Sequence, residues 1–322
     1  TTLKGHGGPI MGIAISEEGQ VAPASFANSV GLWTAQTPFW LEGHAAAVTS
    51  IIHGAEDGTL ITGSDDFTVR LWKGGTADVI GQHKGKVASL SRSPDGSYVA
   101  SGSWDGSITL WSLEGGSEQT LPTPGSNVNA VAYSPDGQRL FAATQQGDLL
   151  VYDLSKNAAP RALVRHGFGI NRLVAGPGWI AYGAVDGGTR VIDAETGDQI
   201  ADLTLDRRPI LAMAYHPATQ QIAVGDGHGY IMMLDAETWR ITRDFRAMGQ
   251  GPVWALAFSP DGQTIHAGGI ADVVYAWPVA LLGEFDPAAV PERSLLRDAA
   301  SLPNGERQVM RKCSICHALS SG

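Results

Sequence analysis

Seven apolar stretches in this chain end in the same way at nearly the same interval. They read "VGLW" to Trp33, "VRLW" to Trp72, "ITLW" to Trp111, "LLVYD" through Tyr152, "TRVID" through Ile192, "IMMLD" through Leu234 and "VVYAW" to Trp277. The spacings are 39, 39, 41, 40, 42 and 43 residues. A self-similar unit of this length cannot bury its apolar face alone, so the repeat demands neighbours stacked against one another. Seven such units fill residues 1–279.

Inside a unit the period is that of short strands. In the third, "KVASLSRSPDG", "YVASGSWDG", "SITLWSLEGG" and "SEQTLPTPG" alternate apolar and polar residues and break at Asp-Gly turns. "SPDG" recurs at 93–96, 134–137 and 259–262, with proline fixing one φ and glycine supplying a positive one. The 41 glycines and 17 prolines of the chain fit this density of turns. Four strands repeated seven times predict an all-β ring of blades, closed radially so that only short edges remain. The seventh unit supplies three strands before "PVALLGE" at 278–284, and "TTLK" at the N-terminus is predicted to add its fourth.

The repeats resemble the WD-repeat β-propeller family, which carries Gly-His near the start of a unit and a Trp-Asp-like ending after its third strand. Gly5-His6 and Gly43-His44 match, with looser counterparts at His83 and His166. The resemblance implies a hydrogen-bonded tetrad of His44, Thr62, Asp66 and Trp72 in the second unit, and of His83, Ser101, Asp105 and Trp111 in the third. The fifth unit keeps His166 and Asp186 but has Ile192 for the tryptophan, and units six and seven depart further. These histidines recur once per unit, so they read as structural rather than as ligands of one metal. His53, His216, His228 and His266 show no spacing typical of metal ligands. The family docks proteins on the face that bears the turns before the third strands, which makes Phe67 and Trp104 candidate partner-binding residues; an aromatic there can equally cover its own blade.

Beyond Trp277 the pattern changes. Prolines at 278, 287, 291 and 303 mark residues 280–303 as a linker. Residues 304–322 contain "KCSICHALSSG", with the only two cysteines of the chain, in the pattern C-x-x-C-H. Two thiols at this spacing reach the two vinyl groups of one haem, and the adjacent imidazole meets the iron. A redox dithiol would need a βαβ context, and a zinc site two more ligands nearby. The stretch "NGERQVMRKCSICHAL" resembles the first helix of a class I c-type cytochrome, with Val309 where that family has an aromatic. The resemblance implies covalent haem c on Cys313 and Cys316, with His317 as proximal iron ligand and the sixth ligand outside this chain. A cytochrome domain needs on the order of 80 residues, so either the native chain continues past Gly322, the simpler account, or another subunit covers the haem.

The net charge of −10 disfavours a nucleic-acid partner, and no apolar run reaches the 18 or more residues of a spanning helix. Thioether attachment of haem requires export, so a bacterial periplasmic location is expected; a start at Thr1 is in keeping with a removed leader. The expected function is electron transfer by the haem, with the propeller docking a protein redox partner or a membrane-bound respiratory or photosynthetic complex. Two alternatives stay open: an oxidoreductase whose propeller performs chemistry and whose cytochrome removes the electrons, and an interaction scaffold without a redox role.

Overall fold

The structure, a computed structural model, describes residues 2–285 apart from 34–36, 57, 123–124, 157 and 206–207. Cys313, Cys316 and His317, with most of the expected linker, lie outside the described residues. Seven four-stranded antiparallel sheets follow one another along the chain. Their inner strands are Ile10–Ile15, Val48–His53, Val87–Arg92, Val128–Tyr133, Ile170–Gly176, Ile210–His216 and Val253–Phe258. Blades 1 to 7 are numbered by these strands. Each of the first six runs inner to outer in chain order, the meander that Asp-Gly and Gly-rich turns favour.

Blade 7 closes the ring as the sequence predicts. Its own three strands end at Val273–Pro278, and Thr2–Lys4 pairs antiparallel with that last strand, Thr2 opposite Tyr275 and Leu3 opposite Val274. Leu3 also packs on the buried cluster of Ile10, Trp33 and Val274, so the closing strand is held by side chains as well as by its ladder. The chain does not leave the ring at residue 280. Val279–Leu281 forms a short 3-10 turn, Val279 and Leu282 pack on the blade 6–7 core, and the Phe285 N–H bonds the Thr242 carbonyl at 2.9 Å. Apolar side chains at 279 and 282 keep this stretch docked.

Two features recur around the ring. Every inner strand has a bulge after its first residue, which leaves Met11, Thr49, Ala88, Asn129, Asn171, Leu211 and Trp254 outside the ladder. In five of the seven blades the second strand carries a glycine where the next blade's first inner residue presses in, blades 1 and 4 having Ala24 and Ala143. A Cβ on Gly63, Gly102, Gly183, Gly225 or Gly268 would fall 2.2–2.6 Å from a side-chain carbon of Val87, Val128, Ile210, Val253 or Ile10 respectively. Those contacts set how closely blades approach.

Candidate functional site

The tetrads order the rim that carries the loops between second and third strands. In blade 2, Thr62 Oγ1 lies 2.7 Å from His44 Nε2 and accepts the Trp72 indole N–H at 2.8 Å. His44 Nδ1 meets Asp66 Oδ2 at 2.8 Å. Burial works against the Asp66 charge, but hydrogen bonds from Thr68, the Ala45 N–H and His44 outweigh it and hold the carboxyl well below its usual range. Burial in turn lowers the His44 pKa, only partly offset by Asp66. The pair is therefore a neutral imidazole donating to a carboxylate. Blade 3 repeats the plan with a relay. His83 Nε2 meets Ser101 Oγ at 2.6 Å and Nδ1 meets Ser107 Oγ at 2.8 Å, while Ser107 donates to Asp105 at 2.6 Å.

Blade 5 keeps less of it. His166 Nε2 faces Asp186 at 3.1 Å, Arg190 approaches both ring nitrogens at 3.2 Å, and Tyr182 occupies the place of Thr62. Blade 1 has lost both polar partners. Pro23 stands where Thr62 stands in blade 2, and Ala27 where Asp66 stands. Among the described residues His6, 2% exposed, has no hydrogen bond on either nitrogen, and the Trp33 indole N–H is equally unpartnered. Buried polar groups are ordinarily held by hydrogen bonds, and this histidine is not. Ring contacts replace them, with Trp33 and Trp40 each at 5.6 Å.

The consequence is a pH dependence. Burial lowers the pKa of His6 from 6.5 to about 4, with Asp272 opposing, and burial likewise takes His266 to about 4. An unfolded chain protonates both near pH 6.5, so it binds more protons than the folded one between about pH 6.5 and pH 4. Stability is expected to be full above that window and to fall as pH drops through it. Both rings should remain neutral at pH 5 by NMR; ordinary titration near 6.5 would contradict the burial argument.

The same rim places the sequence-predicted aromatics differently from one another. Phe67 is 42% exposed and has φ = 74°, at the turn position where blades 3, 4, 5 and 6 have Gly106, Gly147, Gly187 and Gly229 with positive φ. A bulky side chain in the left-handed region is a costly choice for the fold. Trp104 is turned inward by comparison. Its indole N–H bonds Asn129 Oδ1 of blade 4 at 3.1 Å, and the Lys86 ammonium lies 3.4 Å from its ring centre. Two residues that the sequence did not single out join them: Phe26, 50% exposed, and Ile270, 44% exposed, in the equivalent loops of blades 1 and 7. Ile270, Phe26, Phe67 and Trp104 thus mark four consecutive blades on one rim. Among the described residues no group of three or more His, Cys, Asp or Glu is placed to hold a metal.

Two blades carry complete tetrads, the seven close into one ring, and the WD domain, G-beta repeat, profile matches residues 36–73, 76–112, 115–153 and 240–277, so the fold is a seven-bladed propeller with WD40 repeats. Each match takes in the outer strand of one blade and the first three strands of the next. The chain is 27% identical over 142 residues to WD repeat-containing protein 90 of Xenopus tropicalis, which covers 44% of this chain and 8% of that protein. It is 24% identical over 170 residues to Eukaryotic translation initiation factor 3 subunit I of Dictyostelium discoideum, 47% of this chain and 50% of that protein. It is 25% identical over 193 residues to Protein LST8 homolog of Drosophila melanogaster, 58% of each. The chain thus spans half or less of the first two of these relatives. WD propellers bind protein partners, and no described helix is long and apolar enough to cross a membrane.

Proposed function

We propose that this propeller is a protein-docking platform for a covalently attached c-type haem, and that the protein moves single electrons outside the cytoplasm, in a bacterial periplasm. The observation that carries the redox half is Cys313-Ser-Ile-Cys316-His317. Its donor set fits the group: two thiols to form thioethers, and one imidazole to ligate iron. When bound, the haem supplies a one-electron couple. The chain's own part is to fix the ring at two points and to offer His317 on one side. The docking half is supported by the apolar arc of Ile270, Phe26, Phe67 and Trp104, and by a strained Phe67 where glycine would fold more easily. A protein redox partner, in solution or within a respiratory or photosynthetic membrane complex, is the occupant this reading requires.

The test is the intact mass of this chain, produced by export in a host with a haem-attachment system. The expected mass is heavier than the polypeptide by one haem, and Cys313→Ala with Cys316→Ala returns it to the bare value. His317→Ala should change the visible spectrum and leave the β-sheet circular dichroism unchanged. A bare mass with both thiols open to alkylation would overturn the redox half. It would leave the second reading, a scaffold without redox role, which the docking arc supports by itself.

A further inference from the structure

The innermost strands line the channel around which the blades are arranged, and none of the seven contains an aspartate or glutamate. Their only Arg or Lys residues are Arg92 and Arg172. Arg92 ends its strand and bonds the Gly54 carbonyl. Arg172 lies inside its strand, directly after the bulge. By pairing register its counterparts are Gly12, Ser50, Ser89, Ala130, Ala212 and Ala255, all small. In blades 2 and 3 this side chain reaches the neighbouring inner strand: Ser50 Oγ accepts from the Leu90 N–H and Ser89 Oγ from the Val131 N–H, each at 3.1 Å. A guanidinium has been set where the ring elsewhere keeps a hydrogen or a single small group.

That guanidinium has no counter-charge. Arg172 forms no ion pair among the described residues, and its one hydrogen bond runs from Nη1 to the Asn171 carbonyl at 2.9 Å. It is enclosed by protein yet keeps some contact with solvent, as a side chain in a water-filled channel does. Burial lowers its pKa to about 10, and no neighbouring charge offsets the effect. A buried cation without a partner is costly, and an anion drawn into the channel would relieve that cost.

The residue beside it is also incomplete. Asn171 is 1% exposed, donates from Nδ2 to the Ile210 carbonyl at 2.8 Å, and has Oδ1 buried with no partner among the described residues. Asn129, at the same bulge of blade 4, donates likewise to the Ile170 carbonyl at 3.0 Å, but its Oδ1 takes the Trp104 indole N–H. Asn171 lacks that donor.

From these two neighbours we infer an oxyanion site in the channel: Arg172 takes the anionic oxygens of a small ligand, and Asn171 Oδ1 takes the proton of an O–H on the same ligand. Monohydrogen phosphate and small hydroxycarboxylates have both groups; sulfate at neutral pH has no O–H. The experiment is calorimetric titration of the whole chain at constant ionic strength with inorganic phosphate, glycolate and sulfate in separate runs. Saturable binding of phosphate or glycolate is expected, tighter than sulfate, and whichever saturates identifies the source of the oxyanion. Arg172→Ala, the residue found at this position in blades 4, 6 and 7, should weaken it by about tenfold or more. Arg172→Gln, closer in length, serves the same comparison if the alanine variant melts early. No saturable binding of phosphate or glycolate, or unchanged affinity in both variants, overturns the site. Sulfate binding as tight as phosphate would remove Asn171 from it. The haem plays no part in this readout, so the result stands whatever the fate of the redox proposal.

Discussion

Thr62→Val is expected to cost about 2–6 kcal/mol of stability although the change is isosteric. Valine keeps the volume and β-branching of threonine, so packing and strand preference are preserved. What it removes is the oxygen between His44 Nε2 and the Trp72 N–H, at 2.7 and 2.8 Å. Both groups are buried, with Trp72 only 2% exposed, so neither finds water instead. Each orphaned polar group costs roughly 1–3 kcal/mol. The ring should still form, because blade 1 already folds with His6 and Trp33 in that state. A denaturation midpoint unchanged from wild type would mean that the tetrad contributes nothing net.

Removing residues 1–4 is expected to lower the melting temperature by about 10 °C and to promote aggregation. The three-residue strand Thr2–Lys4 is the whole outer edge of blade 7. Without it the row of N–H and C=O groups along Val273–Tyr275 is open to pairing with another chain, and Leu3 no longer covers Ile10 and Val274. Losing a few ladder bonds and one half-buried leucine amounts to about 3–5 kcal/mol. Adding the peptide TTLK in excess should not restore the loss, since closure within one chain avoids the cost of association. Differential scanning calorimetry and light scattering check both parts. A truncated chain with wild-type melting and no aggregation would show that the ring does not depend on this strand.

The blade count, the closing strand and two complete tetrads were legible because all of them rest on a one-dimensional period. The loss of the blade 1 tetrad was readable but not singled out: Pro23 and Ala27 sit at the aligned places of Thr62 and Asp66. The gap in the ladder there follows from proline: Val21 pairs with Trp33 and Ala24 with Val30, with no rungs between. What the period could not show is contact between blades. The Trp104 indole is satisfied by Asn129, 25 residues away on another sheet, and nothing in the turn "SWDG" announces it. Phe67 at a glycine's backbone position needed the dihedral itself. Arg172 was invisible for a third reason: in a single strand "INRLVAG" an arginine reads as solvent-facing, and only the ring turns that position inward. The C-x-x-C-H remains a reading of sequence alone, since it lies outside the described residues.

The bulged inner strands make this circle uneven. From blade 2 to blade 6 each joint is latched by a side chain: Thr49 to the Val87 carbonyl, Ser89 to the Val131 N–H, Asn129 to the Ile170 carbonyl and Asn171 to the Ile210 carbonyl. Between blades 7, 1 and 2 the inner joints among the described residues are carbon on carbon, Ile10 against Gly268 and Ile51 against Gly12. Directional latches hold at one geometry, whereas smooth apolar surfaces slide with little penalty until they part. The circle is therefore least constrained opposite its latches, around blades 7 and 1, where Thr2–Lys4 pairs with Val273–Pro278. A gap there breaks no such latch, whereas blade 6 is tied to blade 7 by His216 Nε2 and the Pro260 carbonyl at 3.0 Å, so the joints either side of blade 1 are expected to part first.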